Sequence, residues 1–333
     1  MGEVLRLDEL DRRIVAALQL NGRASWKKVA AAVDARESTV ARRGQQLIES
    51  RVVGVTGVLD HLRCGLGISL IARMRCRPGR ANTVAEALAR LPAARFVTVV
   101  SGSADVAAEI VVRHHQDAAQ VLVEDLPQPD DIVETESMVV VRKFMAFEEW
   151  DTGLLDADAS AALRPEAPVT DHRAWHATEQ LSEQEFAIAG VLATDGRATY
   201  AHIAATVGIS ESTAARRVDS LVSRGCLRFR TLFETPVLGL DVNFMQWLSV
   251  APAELENVGS MLAREPSTRY VSATTGRFNL CLHGVLPGYG ELYDYLTKVV
   301  GSLPGVHAAD MTLQARTLKR AWVRIAGDGR SEP

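Results

Sequence analysis

Two short segments of the chain place hydroxyl and guanidinium groups in the same order, ESTVARR at 37–43 and ESTAARR at 211–217. In each, two hydroxyl residues precede two arginines at spacings of 1, 3 and 1, which puts all four on one side of a helix. Such groups near a helix N-terminus suit contacts with phosphates and guanine edges in the major groove of DNA. The sequence therefore predicts two DNA-binding faces, the alternative being solvated helix surfaces: Ser38, Thr39, Arg42 and Arg43 in the first, and Ser212, Thr213, Arg216 and Arg217 in the second.

The local charge of both segments agrees with this prediction. Residues 7–53 contain nine basic and six acidic residues, and residues 210–230 contain five arginines and two acidic residues. The chain as a whole has a net charge of −4, and residues 148–180 hold eight acidic residues against two basic ones. We interpret that acidic stretch as a solvated linker with a short helix near residues 156–163. The alternative is a mimic of DNA charge that competes for the basic helices.

The two segments belong to an internal duplication. The offset that relates position 37 to position 211, here called the repeat offset, also relates NGRAS (21–25) to DGRAT (195–199), and Gly102 to Gly276. The Leu-Pro pairs at 126–127 and 303–304 exceed the repeat offset by three, which predicts three extra residues in the second copy. A register kept over so long a span indicates two homologous halves.

Capping signals surround each basic segment. In the second half, Ser182 and Glu185 have the spacing of a capping box, and Ser210 is a good N-cap residue for the basic helix. With glycine-containing turns between them, these signals predict three short helices that include a helix-turn-helix. In the first half Arg36 replaces the capping serine, and Gly44 within the third helix costs about 1 kcal/mol relative to alanine. We expect the first copy to be less rigid.

Alternating apolar segments follow each third helix in the order strand, helix, strand, strand, helix, strand. This βαββαβ order is typical of a ferredoxin-like unit, whose open sheet face pairs with a second copy. The predicted elements are Gly67–Cys76, Ala81–Arg90, Phe96–Val100, Val106–Val112, Gln116–Val123 and Ile132–Val141 in the first half, and Phe244–Val250, Leu255–Arg264, Tyr270–Thr274, Leu280–Leu286, Tyr289–Val300 and Met311–Leu318 in the second.

Other features narrow the class of protein. No run approaches the about 18 apolar residues of a membrane span, and the first ten residues lack the pattern of a secretory signal. Four cysteines without a Cys-x-x-Cys pair indicate a reducing compartment. His114-His115 has no third ligand at metal-site spacing, and neither a phosphate loop nor a dinucleotide fingerprint is present. We expect a cytoplasmic protein with no membrane partner, no metal site and no cofactor.

With these motifs in place, the chain resembles the Lrp/AsnC family of feast/famine regulators over nearly its whole length outside residues 148–180. The matching motifs are Leu7-Asp8…Asp11…Ile14…Leu18, Asn21-Gly22-Arg23 and Glu37-Ser38-Thr39-Val40…Arg42-Arg43 for the helix-turn-helix, and Gly65-Leu66-Gly67, Leu238-Gly239-Leu240, Gly102…Asp105 and Leu303-Pro304-Gly305-Val306 for the sensor. The resemblance implies a transcription regulator that binds double-stranded DNA and a small effector, often an amino acid, and forms a homo-oligomer. Family members usually carry one such unit per chain, so the fused halves suggest a pseudo-dimer.

The expected fold is α+β, with two winged-type helix-turn-helix domains and two ferredoxin-like βαββαβ sensor domains produced by an internal duplication. The expected boundaries are 1–56 and 57–147 for the first helix-turn-helix and sensor domains, 148–180 for the linker, and 181–230 and 231–326 for the second pair.

The resemblance also indicates where an effector would bind, because family effectors lie between paired sensor domains near a Gly-x-x-Asp loop. The matching residues are Gly102 and Asp105 in the first half and Gly276 and Asn279 in the second. The Asp105 carboxylate can attract an ammonium group or hold the loop, whereas Arg277 favours a carboxylate. The alternative is that Asp105 and Asn279 only cap strand turns. We expect at most one tightly bound, amino-acid-like effector per chain.

An enzyme is the alternative function. Siroheme decarboxylases share this two-domain architecture, and Asp60-His61-Leu62-Arg63…Gly65 is similar to a segment of theirs, in which His61 would donate a proton or contact the substrate. The corresponding segment of the second half, residues 235–239, has no histidine. We therefore predict a regulator without catalytic residues, and place His61 on the surface at a domain junction.

Overall fold

The computed structural model describes residues 7–114, 116–117, 120–121, 129–165, 179–327 and 329–330. They form two compact units. The helical unit comprises residues 7–66 and 151–233, and the sheet unit comprises residues 67–150 together with those from 234 onward. Each unit therefore contains part of both halves of the chain. Within the described ranges, no helix has the length and apolar character needed to cross a membrane.

Along the chain, segments of the helical unit and segments of the sheet unit follow one another in turn. The helices are α1 (Glu9–Leu20), α2 (Trp26–Ala32), α3 (Glu37–Glu49), α4 (Ala81–Arg90), α5 (Ala157–Leu163), α6 (Glu183–Thr194), α7 (Tyr200–Val207), α8 (Glu211–Ser223), α9 (Leu255–Leu262) and α10 (Gly290–Asp294). The strands are β1 (Gly54–Leu59), β2 (Ile68–Cys76), β3 (Ala94–Ser101), β4 (Val106–Val112), β5 (Ile132–Met145), β6 (Leu227–Leu232), β7 (Val242–Val250), β8 (Thr268–Thr274), β9 (Leu280–Leu286), β10 (Val306–Arg320) and β11 (Val323–Arg324).

Local signals fix the starts of the helices in the helical unit. The predicted capping box forms, since Ser182 Oγ accepts from the backbone N–H of Glu185 at 3.3 Å and Glu185 Oε2 accepts from that of Ser182 at 2.8 Å. Arg36, by contrast, gives α3 no side-chain cap. The turns before α3 and α8 both use a left-handed residue, Asp34 with φ 52° and Gly208 with φ 75°. Aspartate tolerates this conformation better than most residues, so the first turn keeps its shape without glycine.

Part of the acidic stretch is packed rather than solvated. Residues 151–165 belong to the helical unit, where Asp156 caps α5 as the predicted short helix requires. The helix contacts α1 and α2, Leu163 is 1% exposed, and Asn21 Nδ2 donates to the Leu163 carbonyl at 2.9 Å. The interpretation as a solvated linker is therefore wrong for this part, because burial of the leucine favours docking on the first helix-turn-helix. Residues 166–178 lie outside the described residues.

One strand after each third helix joins the two halves of the helical unit. β1 and β6 run antiparallel, with Thr56 opposite Arg230 at the centre of the pairing. These two positions are related by the repeat offset, so the strand pair has an approximate twofold axis at its centre. The winged-type prediction differs from the structure: each half supplies one strand, and its backbone hydrogen bonds are completed by the other half instead of by a hairpin of its own.

The sheet unit is a closed ring of eight strands. Their order is β10-β3-β4-β2-β5-β8-β9-β7, and β7 pairs with β10 to close the ring. The short strand β11 also pairs with β10. Four strands come from each half, and the halves join where β5 pairs with β8 and β10 pairs with β3. The four strands of one half are thus paired with the four strands of the other within one chain.

Alternate residues of the strands face opposite sides of the ring. On the outer side, Leu70, Ala72 and Met74 of β2 pack with Val84 and Leu88 of α4 in one apolar core. The inner side has a second apolar cluster of Ile71, Phe96, Val100, Ala104, Ala107, Met138, Val140, Met245, Trp247, Phe278 and Cys281. Buried polar groups are found in the same unit, and they form the candidate sites described below.

The observed elements refine the predicted ones. α4, β4 and β9 have the predicted bounds. β5 is longer because its end pairs with β8 of the other half, and β10 is longer mainly because its first residues, 306–310, pair with β7 of its own half. The predicted helix at 289–300 is α10 followed by a π-helical turn and a 3-10 turn. Of the predicted helix at 116–123, residues 118, 119, 122 and 123 lie outside the described residues.

The register of the last strands corrects the prediction of three extra residues in the second copy. Glu136 lies opposite Arg73, and Asp310 lies opposite Trp247. The two pairs are related by the unchanged repeat offset, so the longer spacing at the Leu-Pro pairs is local and is compensated before the last strand.

Candidate DNA-binding and effector-binding sites

The predicted DNA-binding residues lie in the first half of α3 and α8. The exposed ones are Ser38, Arg42, Ser212 and Arg216, with Thr39 and Thr213 half-buried beside them. Ser210 is the N-cap residue of α8, and its Oγ lies 2.8 Å from Thr213 Oγ1. Within the described residues, the guanidinium groups of Arg42 and Arg216 make no ion pair, so both are available to an outside phosphate or base.

The second arginine of the first segment is turned back into the protein. Arg43 forms ion pairs with Asp8 and, at 3.1 Å, with Asp11 at the start of α1. The backbone N–H of Asp11 and the Arg43 side chain lower the pKa of Asp8. Arg43 therefore ties α3 to α1, a role that the spacing within ESTVARR does not reveal.

Arg217 has the corresponding place in the second half. Although burial opposes the shift, hydrogen bonds from Ser182 and the charges of Arg224 and Arg217 lower the pKa of Glu185, the capping residue of α6. The eight predicted residues thus form two groups: six that are exposed or half-buried near the starts of α3 and α8, and a pair of arginines, 43 and 217, that face carboxylates of α1 and α6 or their caps.

Two further arginines connect the helix-turn-helix motifs reciprocally. Arg23 Nη1 donates to the carbonyls of Gly196 and Ala198 at 2.7 and 3.0 Å. Arg197, the equivalent residue of the second half, donates to the carbonyls of Gly22 and Ala24 at 2.5 and 3.1 Å. Every partner is matched by its equivalent in the other half, so the NGR and DGR motifs form one interface about the twofold axis.

Aromatic rings complete this interface. The Arg197 guanidinium lies 4.4 Å from the ring centroid of Trp26, and that of Arg23 lies 5.3 Å from that of the equivalent Tyr200. Burial, together with the charge of Arg23, lowers the pKa of Arg197. Cation–π contacts and carbonyl acceptors offset this cost.

Gly44 makes room for the larger of these rings. A Cβ atom at Gly44 would lie 2.3 Å from Cζ3 of Trp26, whereas the equivalent pair in the second half is Val218 and Tyr200. The glycine is thus a matched partner of the tryptophan, and the expectation of a less rigid first copy does not take this packing into account.

His61 and two cysteines lie inside the helical unit. His61 is 3% exposed, so its predicted surface position is wrong: the turn after β1 folds it inward, where Leu66 N–H donates to the His61 carbonyl at 2.7 Å. Cys64 and Cys226 are buried, and burial raises the pKa of both thiols. All four cysteines are free.

The predicted effector-binding residues hold two equivalent hairpin turns in the sheet unit. Asp105 Oδ2 accepts from the backbone N–H of Cys76 at 2.8 Å. Asn279 Oδ1 accepts from that of Val250 at 2.8 Å, and Asn279 Nδ2 donates to the Val250 carbonyl at 2.8 Å. Both side chains are engaged by the end of the neighbouring strand, which is the strand-capping alternative. Any ligand at these turns would meet the loop rather than the Asp105 carboxylate alone.

Each turn approaches the last strand of the other half. Gly102 has φ 127°, and a Cβ atom there would lie 2.9 Å from the Met311 carbonyl oxygen. Gly276 has φ 96°, and its Cβ atom would lie 3.1 Å from Cγ of Met138. Glycine is needed at both positions because of the backbone conformation, and the first also permits close approach.

A charged network that sequence reasoning missed fills the space beside the first turn. Arg73, whose side chain is 4% exposed, forms an ion pair with Asp310 at 2.5 Å and lies 4.7 Å from the Trp247 ring centroid. Asp310 also accepts from Ser103 Oγ at 2.5 Å. The sequence alone does not single out Arg73, because an arginine in a predicted strand looks like any other polar residue there. Beside the second turn, Arg277 Nε lies 3.1 Å from Glu136.

Two models of known protein domains match this chain. The model of the AsnC-type helix-turn-helix domain matches residues 7–48 and again residues 183–222. The model of the Lrp/AsnC ligand binding domain matches residues 69–149. The chain belongs to the Lrp/AsnC family. The two matches to the helix-turn-helix domain fit a tandem duplicated member.

Curated relatives of this Lrp/AsnC protein are archaeal regulators. An uncharacterized HTH-type transcriptional regulator of Pyrococcus abyssi is 28% identical over 137 residues, which is 41% of this chain and 87% of that protein. The HTH-type transcriptional regulator Ptr1 of Methanocaldococcus jannaschii is 25% identical over 140 residues, 42% of this chain and 95% of that protein. Each relative is thus matched over most of its own length by about two fifths of this chain.

A solved structure is similar over nearly the whole chain. The siroheme decarboxylase NirDL superposes with a TM-score of 0.61 and 15% sequence identity, covering 94% of this chain and 93% of its own. At this identity the likeness shows a common fold.

Proposed function

We propose that one chain of this Lrp/AsnC transcription regulator presents both recognition helices, α3 and α8, to double-stranded DNA and responds to a small effector bound in the sheet unit. The reciprocal contacts of Arg23 and Arg197 carry the proposal. They connect two helix-turn-helix motifs of one chain about an approximate twofold axis, the symmetry that a pair of DNA half-sites requires.

In this proposal the two helices read different half-sites. Ser38, Thr39 and Arg42 contact one half-site, and Ser212, Thr213 and Arg216 contact the other. Arg43 and Arg217 act as positioning residues, because carboxylates of the preceding helices engage or face them. Since the two sets lie on non-identical helices, the operator is expected to be an imperfect palindrome.

Footprinting of two single variants tests this assignment. Arg42→Ala and Arg216→Ala should each cost about 1–3 kcal/mol of binding free energy if the side chain reads a base, and each should weaken protection of one half-site only. Arg90→Ala, an exposed arginine at the end of α4, is the matched control and should leave the footprint unchanged. Affinity should fall steeply with salt. Equal loss of both half-sites in the two variants, or a flat salt dependence, would contradict the proposal.

The effector is proposed to be amino-acid-like and to bind at the turns that contain Gly102 with Asp105 and Gly276 with Asn279. Asp105 and Asn279 hold these turns, and the exposed glycines beside them have a positive φ. Because an aspartate stands in one turn and an asparagine in the other, we propose one tight site per chain. Calorimetry with each of the standard amino acids tests this, and two identical sites per chain would refute it.

A siroheme-decarboxylase-like enzyme is the second candidate, favoured by the common fold with NirDL over 94% of this chain. His61 is buried in the helical unit, so a catalytic role requires a substrate that reaches that interior. Mixing the purified protein with siroheme and recording the visible spectrum distinguishes the two functions. A change in the porphyrin bands would support the enzyme, and an unchanged spectrum would leave the regulator.

We further propose that the protein acts in the cytoplasm and that chains associate into homo-oligomers beyond the pairing already made within each chain. The intrachain pairing of β5 with β8 and of β10 with β3 supplies one pseudo-dimer per chain. Light scattering at micromolar concentration tests the association, and a strict monomer would refute it.

A further inference from the structure

Two equivalent arginines of the sheet unit point into buried surroundings from irregular strand positions. The pairing of β3 with β4 shifts register between Ala94 and Phe96, at Arg95, and that of β8 with β9 shifts between Thr268 and Tyr270, at Arg269. The two arginines are related by the repeat offset and are 5% and 7% exposed. A β-bulge re-aims the side chain of the extra residue, and bulges are frequent beside functional sites.

The first of these arginines has a carboxylate partner. Arg95 Nη1 donates to both oxygens of Glu109, at 2.9 and 2.8 Å. Ser69 Oγ donates to Glu109 Oε1 at 2.5 Å, and the Arg95 guanidinium lies 5.3 Å from the ring centroid of Trp322. The site in the first half is thus complete: one buried cation, one buried carboxylate and one hydroxyl donor.

The second arginine lacks this partner. The position equivalent to Glu109 is His283, and the position equivalent to Ser69 is Asn243, whose Oδ1 lies 3.4 Å from Arg269 Nη1. Within the described residues no carboxylate lies within ion-pair distance of Arg269, and its Nε makes no hydrogen bond. Burial and the charge of Arg320 lower the pKa of Arg269 to about 9, while Glu234, already paired with Arg320 at 3.1 Å, opposes the shift. A buried guanidinium without a partner anion lowers the stability of the fold, so binding of an anion at this site is favourable.

Aromatic rings surround this guanidinium. Arg269 lies 4.8 Å from the ring centroid of Trp150 and 5.7 Å from that of Phe147. Phe147 stacks on Tyr270 at 5.2 Å, and His283 meets both rings edge-on at 5.1 and 5.5 Å. Flat apolar walls beside a cation favour a planar, apolar anion over a strongly hydrated one such as phosphate.

We propose that Arg269 binds the carboxylate of a small aromatic acid. Asn243 and His283 border the carboxylate site, in the places that Ser69 and Glu109 have in the first half. Asn243 Nδ2 also donates to Thr235 Oγ1 at 2.7 Å, and His283 Nδ1 lies 3.4 Å from Gln314 Nε2. The rings of Phe147 and Trp150 face the apolar body of the acid. Asn243 is partly exposed and marks the side from which the ligand enters.

This inference goes beyond the proposed function and does not depend on DNA binding. The bulge at Arg269 is also distinct from the turns at Gly102 and Gly276. With benzoate as the aromatic acid, loss of its binding and loss of a DNA footprint are therefore separate results, measured on the same purified chain.

The first test compares benzoate with its neutral isostere. Calorimetry and thermal unfolding of the full chain without DNA are recorded in sodium benzoate, benzamide, sodium acetate and sodium phosphate, with sodium chloride added to equal ionic strength. We expect benzoate to bind saturably at one site per chain and to raise Tm, acetate to bind more weakly, and benzamide to have no effect. Benzoate no better than benzamide, or phosphate binding in preference to benzoate, would overturn the proposal.

Two variants then locate the site. Arg269→Gln should weaken benzoate binding by about tenfold or more, because a charged hydrogen-bond donor is lost. His283→Glu rebuilds the pair of the first half inside the second, so it should raise Tm and abolish benzoate binding. Arg90→Ala should change neither quantity. If Arg269→Gln does not fold, His283→Glu alone tests the proposal. A lowered Tm with benzoate binding retained would show that Arg269 does not bind a carboxylate.

Discussion

Removal of the Arg197 side chain should weaken the joint between the two helix-turn-helix motifs. The Arg197→Ala variant loses two hydrogen bonds to the carbonyls of Gly22 and Ala24, and the stacking on Trp26 at 4.4 Å. Arg23 does not replace the lost charge at these two carbonyls, since it is committed to Gly196 and Ala198.

The size of the effect follows from these contacts. A hydrogen bond to a charged group contributes about 1.5–3 kcal/mol, and a cation–π contact at a partly exposed site about 0.5–1 kcal/mol. Arg197 is half-buried, so water recovers part of the loss at the two carbonyls. Taking the lower values, we expect the free energy of unfolding to fall by about 3 kcal/mol. Arg197→Lys keeps the charge, but its ammonium group cannot reach both carbonyls as the guanidinium fork does. Its free energy of unfolding should therefore lie between those of Arg197→Ala and the unmodified protein.

Urea unfolding followed by far-ultraviolet circular dichroism measures this change. Arg216→Ala, which truncates an exposed arginine of the same unit, is the matched control and should alter stability by less than about 0.5 kcal/mol. The double variant with Arg23→Ala should cost less than the sum of the single ones, because both arginines hold the same interface. A loss below about 0.5 kcal/mol in Arg197→Ala would refute the idea that this contact joins the motifs.

Three other outcomes are expected. Gly44→Ala should lower the free energy of unfolding by about 1–3 kcal/mol in thermal melts, since its Cβ would lie 2.3 Å from Trp26; no loss would contradict the described packing. The pKa of Asp8 is lowered in the folded state, so its contribution is present above the unfolded value of 3.8 and disappears as the pH falls through the folded value. Asp8→Asn should therefore flatten the acid limb of the stability–pH profile, and an unchanged limb would count against the ion pair. Asp105→Ala should cost about 1 kcal/mol, and Asp105→Asn, which copies the second half, should restore most of it.

Much of the local structure could be predicted from the sequence. The repeat offset, the capping residues and the apolar periodicity located the three-helix motifs and the order of strands, because each of these signals can be read directly along the chain. Ser182 with Glu185 is an example: its hydrogen bonds join residues three apart and depend on little else.

Contacts between distant segments could not be predicted in the same way. Arg43 has the spacing of an exposed residue, yet carboxylates of α1 engage it, and that choice depends on how two helices cross. From the sequence alone, Gly44 looks unfavourable within a helix, because only the structure shows that the Trp26 ring packs against it. The pairing of β1 with β6 and the closure of the ring involve residues from opposite halves of the chain, for which no local pattern exists.

The closed ring has a consequence for how the protein behaves on dilution. β10 pairs with β7 of its own half and β3 of the other, and both contacts belong to one covalent chain. A dimer of separate subunits dissociates as its concentration falls, and its stability depends on the amount present. Here the two halves remain together at any concentration, held by an effective local concentration that the chain itself sets. A cell could therefore keep very few copies of such a protein and still have every copy assembled with both helix-turn-helix motifs.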